Sequence, residues 1–339
     1  HSNICEGRLV TFARGLQNGM GGLAMKMGEA VTMYISYRMS LGEKARTIGF
    51  IIKNFCGYIG ADKDLSIISE RLCFHYLNAH GVREGVATTY WFSIYAALNG
   101  FFMWAVARRY ITVNPLPKDK PAKPDDFVPY IYSNVELKLI FETALTYRRR
   151  FNIEYPEVIQ TMLKLTYCLG LRPSETTHLV IDDILLQDGI VHIRETKFYK
   201  SRLVPYGEEV SRMLEDYLLW RSEITLRRCV SDNHLFIDKR GNPVQLSSFQ
   251  QAFRLIREKA GIHRSDTAYS DVRLQDLRHT FATNRVAQWY KEGKDVQALL
   301  PVLSTYLGHS NLDSTAVYIS FTNQLLDEAG KRFQTYAAL

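Results

Sequence analysis

The chain has 339 residues, of which 46% are hydrophobic and 23% charged, a composition that builds sizeable cores and excludes an intrinsically disordered or collagen-like chain. The length suits about two domains. Lys and Arg number 42 against 35 Asp and Glu, a net charge of +7, which points towards an anionic partner without establishing one. Five cysteines (Cys5, Cys56, Cys73, Cys168, Cys229) form no CxxC pair. Free thiols in a reducing cytosol are therefore expected rather than a disulfide framework or a zinc site. The first residues lack the basic-then-apolar pattern of a secretion signal, and the expected location is cytoplasmic.

Along the chain, Ala30 to Met39 and Thr47 to Ile59 place apolar residues at helical intervals, with Gly42 and Gly60 as stops. Gly85 to Ala107 contains no charged residue and seven aromatics. Its length would allow a membrane span, but Thr88, Thr89, Ser93, Asn99 and Gly100 interrupt it, and a buried core helix is expected. Five of the ten prolines fall between Pro115 and Pro129, which predicts an extended linker over 115–129. It separates a helical domain, 1–114, from a mixed domain, 130–339. Residues 1–129 carry 15 basic and 10 acidic side chains, and residues 130–339 carry 27 and 25. A polyanion would therefore touch both halves.

In the second half, Glu157 to Leu169 reads as an apolar helix stopped at Gly170. Gly189–Arg194 and Arg202–Pro205 read as a β-hairpin. Glu208–Arg221 and Leu274–Trp289 read as helices, and a last helix carries the stripe Leu325, Leu326, Ala329 and Phe333. The class is thus a two-domain chain: all-α first, then mixed α+β, mainly helical with a small hairpin or sheet.

Four segments carry chemistry. In GLRPSE, Arg172 follows a helix stop, Pro173 suits the first turn of the next helix, and Glu175 can reach back to orient the guanidinium; a surface ion pair would look the same. In IRETKFYKSRLVP, Arg194, Lys197, Lys200 and Arg202 crowd a hairpin tip against Glu195 alone, which fits either a nucleic-acid contact or a solvated turn. In LQDLRHTFATNR, Arg278 and Gln275 share a helix face, with Leu277 and Phe281 towards the core. In LSTYLGHSNLDSTAVYIS, His309 follows a glycine turn and Tyr318 lies nine residues on; a lone tyrosine is most often half-buried packing.

Taken in order, these segments resemble the catalytic domain of the tyrosine recombinases, the phage integrase family. GLRPSE is similar to the first arginine motif, TKFYKSRLVP to the lysine hairpin, DLRHTFA to the second arginine motif, and LGHSNLDSTAVY to the histidine-to-tyrosine segment. YRMSLGEKARTI and FFMWAVARRYITVNP are similar to the first and last helices of the family's helical core-binding domain, a DNA clamp.

The resemblance implies site-specific DNA recombination. Arg172 and Arg278 would hold the non-bridging oxygens of a phosphodiester, with Glu175 supporting and His309 adding a hydrogen bond. Tyr318 would attack and become joined to the 3′ phosphate. Lys197 would protonate the departing 5′ oxygen, and Arg194, Lys200 and Arg202 would contact DNA. The bond energy is kept in the phosphotyrosine, so neither ATP nor a metal is required and no cofactor is expected. The implied partners are duplex DNA with specific recombination sites, a homo-tetramer on two such sites, and accessory proteins; a bacterial, nucleoid-associated enzyme of a mobile element (integrase or transposase) or a resolvase is the expectation. Gln275 stands where the family usually has His, and glutamine cannot take a proton. His279, beside Arg278, is turned about 100° away on the helix and is not counted in the site. Two rivals remain: a type IB topoisomerase relaxing supercoils, and a non-catalytic DNA-binding protein on the same scaffold.

Overall fold

The computed structural model describes residues 25–83, 85–123, 128–146, 155–194, 201–228, 233–264, 271–309, 314–320 and 322. The backbone divides into two compact units, the first running to Asp126 and the second starting at Phe127. Glu195, Lys197, Lys200 and the stripe Leu325, Leu326, Ala329 and Phe333 lie outside the described residues.

In the first unit the apolar intervals become helices Met27–Ser40, Arg46–Ile59, Glu70–Gly81 and Thr89–Ala107. The uncharged stretch is the centre of this unit: Thr89–Ala107 packs against the other three helices and buries Trp91, Ile94, Leu98, Phe101 and Phe102. Among the described residues no helix is long and apolar enough to cross a membrane. The helix starts later than the lack of charge suggests, because Val86–Ala87 instead pairs with Val82–Arg83 as a two-stranded antiparallel ribbon (β2 with β1). Edge-to-face rings fill the core, with Phe55 meeting Tyr76 at 4.9 Å and Tyr34 meeting Phe101 at 5.5 Å.

The second unit is mainly helical with one small antiparallel sheet. Helix Pro156–Cys168 is buried over most of its surface and packs against Asn134–Leu145, Pro173–Thr177, Glu208–Arg228 and Asp276–Lys291. The expected hairpin is present as strands Ile190–Ile193 (β4) and Arg202–Pro205 (β5) in antiparallel register, Val191 opposite Val204. A strand not anticipated, Ile184–Leu185 (β3), extends it to the order β3-β4-β5. Val191, Ile193 and Val204 point into the core, the period-two alternation of a half-covered sheet. Helix Glu208–Arg228 runs beyond the expected Arg221. Helices Asn134–Leu145, Leu246–Lys259 and Val296–Leu307 complete the layer that carries the site.

Two glycines in the first unit make opposite predictions. A Cβ on Gly81 would stand 2.6 Å from the Trp91 Cα, which is backbone, whereas one on Gly57 would meet nothing within 4 Å. Gly81→Ala should destabilise by about 1–3 kcal/mol through overpacking. Gly57→Ala, on an exposed helix face, should stabilise by roughly 0.5–1 kcal/mol through helix propensity. Thermal and denaturant unfolding of the two variants check the signs.

Candidate active site

The site is built on the C-terminal end of helix Val296–Leu307. An α-helix leaves its last carbonyls without intrahelical partners. Gly308 adopts φ +68°, so the chain reverses and the backbone N–H groups of Gly308 and His309 donate to Thr305 O and Ser304 O, both at 3.0 Å. The next three carbonyls go to arginines: Arg202 Nε donates to Tyr306 O at 2.8 Å, Arg278 Nη2 to Leu307 O at 2.6 Å, and Arg172 Nη2 to Gly308 O at 3.0 Å. Three cations thus sit at the negative end of a helix dipole.

Beneath them is one carboxylate. Glu175 lies in the first turn of Pro173–Thr177 and accepts the Arg172 backbone N–H at 2.9 Å. It also accepts Arg172 Nη1 at 2.7 Å and a bidentate pair from Arg202, at 2.9 and 2.8 Å. Arg278 Nη1 is 3.8 Å from the same carboxylate and donates to Gly170 O at 2.8 Å. Burial alone would raise the Glu175 pKa; the hydrogen bonds and charge of Arg202, with help from Arg172 and Arg278, overcome it and hold the carboxyl down at about 2. Burial pushes Arg278 below the usual arginine value, to about 9, so it remains a cation at neutral pH. The three side chains grade in exposure, Arg172 at 30%, Arg202 at 10% and Arg278 at 1%.

Tyr318 stands beside this cluster on the helical turn 314–320, only 1% exposed. It belongs to a buried apolar cluster that includes Phe281, Leu303 and Leu307. Two imidazoles flank it. His309 lies 6.3 Å from it, ring to ring, at an interplanar angle of 22°, and its Nδ1 is 2.8 Å from Thr315 Oγ1. His279 Nδ1 is 3.1 Å from Tyr318 Oη. Burial raises the Tyr318 pKa, while Arg278 and then Arg172 pull it back. Burial also lowers both histidines to about 4, reinforced at His279 by Arg273 and Arg278 and at His309 by Arg278 and Arg172. Both are neutral at pH 7.

The sequence of the Phage integrase family matches residues 142–324, more than half of the chain and all four motif segments. The chain belongs to the phage integrase family. A protein of Sinorhizobium fredii (strain NBRC 101917 / NGR234) named as an integrase/recombinase, y4rB, is 29% identical over 90% of this chain and 96% of its own. Tyrosine recombinase XerC of Proteus mirabilis is 30% identical over 66% of this chain and 65% of its own. Among solved structures, the Tn1549 transposon integrase in complex with circular intermediate DNA overlays at a TM-score of 0.62 with 14% identity, covering 87% of this chain and 95% of that one. The XerH recombinase bound to its difH substrate gives 0.61 with 17% identity, covering 94% and 100%. At those identities the overlays establish a shared fold.

Within this recombinase fold the structure brings Arg172, Glu175, Arg278, His309 and Tyr318 together. Gln275 is the residue preceding helix Asp276–Lys291 and is half-buried. Lys197 and Lys200 lie outside the described residues. Arg202, expected at a DNA-facing hairpin tip, turns inward instead, since its place at the first position of β5 points it at Glu175 and the helix end. Arg194 is half-exposed and pairs with the buried Asp183. Sequence reasoning passed over His279, and its only signal was adjacency to Arg278.

Replacing the shared carboxylate tests the cluster. Glu175→Gln leaves three buried or half-buried guanidiniums without their counter-charge and should cost about 3 kcal/mol of folding stability. Because the folded-state pKa is depressed from 4.5 to about 2, the carboxylate's contribution is complete above pH 4.5 and is lost as pH falls towards 2. Denaturant unfolding at stepped pH should therefore show a wild-type-to-variant gap that is constant above pH 5 and narrows below it.

Proposed function

We propose that the chain is a site-specific DNA recombinase that cuts and rejoins duplex DNA through a 3′-phosphotyrosine, serving as the integrase of a mobile element. The observation that carries this reading is the charge balance of the site: three guanidiniums share one carboxylate next to a tyrosine hydroxyl. Such a cluster is built to be completed by an anion, and planar arginine forks match the non-bridging oxygens of a phosphodiester. Arg172, the most exposed of the three, meets the phosphate first. Arg278 supplies charge from below, where the low dielectric strengthens it. Arg202 acts as a positioning residue that fixes Glu175 and the helix end, while Arg194 and Lys200 contact the DNA backbone.

Both units have a part in this reading. The first, through its described helices, is the core-binding domain; both units contact the duplex, and the linker 115–129 joins them. A mobile-element role is supported by the integrase name of the Sinorhizobium relative, which this chain matches over nearly its full length, and by the transposon integrase among its structural neighbours. Assembly is a tetramer on two DNA sites.

Two outcomes test the chemistry. Tyr318→Phe removes one hydroxyl and keeps the ring packing, so DNA affinity should persist and the denaturant-resistant protein–DNA adduct on suicide substrates should vanish. If the adduct survives, Tyr318 is not the nucleophile, and Tyr306, whose hydroxyl burial raises to about 12, becomes the next residue to test. Lys197→Ala should be slowed by about 10²–10⁴-fold on normal DNA, the usual worth of a general acid. It should recover when sulfur replaces the bridging 5′ oxygen, because a thiolate, with a thiol pKa of about 8.5, leaves without a proton. Lys200→Ala should lose affinity with a shallower salt dependence and gain nothing from sulfur.

A further inference from the structure

We propose that His279 is the proton acceptor for Tyr318: its Nδ1 orients the phenol hydroxyl and takes its proton as the tyrosyl–phosphate bond forms. The proposal rests on the reading of Tyr318 as nucleophile. Its basis is geometric. His279 Nδ1 lies 3.1 Å from Tyr318 Oη, within the reach expected of a general base. The two rings are 5.8 Å apart and tilted at 48°. His309, the other imidazole, runs nearly parallel to the tyrosine ring and has Nδ1 directed at Thr315. Gln275, one turn before Arg278, carries an amide that cannot accept a proton.

The surroundings suit a base that is switched on by substrate. Among the described residues, the charged and titratable groups facing His279 are Arg273 and Arg278 on its own segment, and Tyr318 and His309 on the segment packed against it. Burial and the two guanidiniums hold the ring neutral, with a pKa of about 4, and in the tautomer that carries its proton on Nε2 the Nδ1 atom accepts from the hydroxyl. A phosphodiester seated on Arg172 and Arg278 brings negative charge that cancels the guanidinium repulsion, and the imidazole becomes a stronger base when it is needed. In cleavage the phenol proton passes to Nδ1, the Oη–P bond forms, and the P–O5′ bond breaks with a proton delivered to O5′ from the hairpin acid. In rejoining the 5′ hydroxyl returns that proton and attacks, the Oη–P bond breaks, and the imidazolium gives its proton back to the phenol oxygen.

The test uses the full chain and a suicide duplex that the wild type cleaves, carrying sulfur at the bridging 5′ position so that leaving-group protonation does not limit the rate. Single-turnover adduct formation and DNA affinity are measured from pH 5.5 to 10 for wild type, His279→Ala, His279→Asn and Tyr318→Phe. Both histidine variants are expected to bind DNA as wild type does and to form adduct about 10²–10³-fold more slowly at pH 7. Their rates should climb roughly tenfold per pH unit as the phenol ionises unaided, approaching the flat wild-type rate near pH 10. A rate within threefold of wild type for His279→Ala overturns the proposal. So does a faster rate, which would make His279 a latch on the tyrosine, and so does wild-type behaviour of His279→Asn, which would reduce it to a hydrogen-bonding role. A loss that is the same at every pH, or that follows a loss of DNA affinity, marks a structural residue and also overturns it. Adduct formation by Tyr318→Phe would instead bring down the nucleophile assignment, whatever the histidine variants do.

Discussion

The end of helix Val296–Leu307 sets the geometry of everything around it. Two of its terminal carbonyls are closed by the backbone reversal at Gly308, and Tyr306, Leu307 and Gly308 offer theirs to Arg202, Arg278 and Arg172. These three arginines come from three elements far apart in sequence: a β-strand, the first turn of a helix and the lead-in to a five-residue helix. A helix terminus is a fixed array of acceptors, so each guanidinium is held in plane and in position without spending its charge. Gly308 is required twice. Its φ of +68° disfavours an L side chain, and a Cβ there would stand 3.1 Å from the Arg202 guanidinium.

Glu175 supplies the other half of the constraint. Three guanidiniums crowded together repel one another, and in a buried setting that repulsion is weakly screened. One carboxylate that accepts from Arg172 and Arg202 and lies near Arg278 lets the cluster fold, yet it neutralises only one charge of three. The remaining positive charge is what a phosphodiester would meet, and the same field offsets part of the rise that burial imposes on the pKa of the Tyr318 hydroxyl. Stability and reactivity are thus coupled through one residue: a second acid would stabilise the fold and weaken the site.

Much of this was legible in the sequence, and the parts that were not have physical reasons. Glycine stops and apolar spacing located helices near Met27–Ser40, Arg46–Ile59 and Pro156–Cys168, and the hairpin register follows from alternation at Val191, Ile193 and Val204. Helix Val296–Leu307 was missed because Pro301 sits inside it, and proline ordinarily argues against a helix interior. Helix Asn134–Leu145 did have a signal, the capping box of Ser133 and Glu136, hidden beside the proline-rich run. Strand β3 has two residues, too few for any period to register. Arg172, Glu175, Arg278, His309 and Tyr318 could be singled out because the segments that hold them, taken in order, resemble those of the tyrosine recombinases. The inward turn of Arg202 could not, since its partners are 27 and 104 residues away.

His279 shows most clearly what spacing can and cannot decide. Successive residues on a helix diverge by about 100°, so if Arg278 faces a bound phosphate, His279 faces elsewhere. That inference about direction is sound, but it is silent about what lies in that direction. Here the helix Asp276–Lys291 is packed on more than one side. Arg278 reaches the carbonyls of Gly170 and Leu307, while the neighbouring face meets the turn 314–320 and with it the Tyr318 hydroxyl. In the proposed reaction, two consecutive residues on one helix would therefore serve its two ends: Arg278 the phosphate, and His279 the Tyr318 oxygen. A site between two elements uses every face that points into the gap, and the width of that gap is set by tertiary packing rather than by the period of either element.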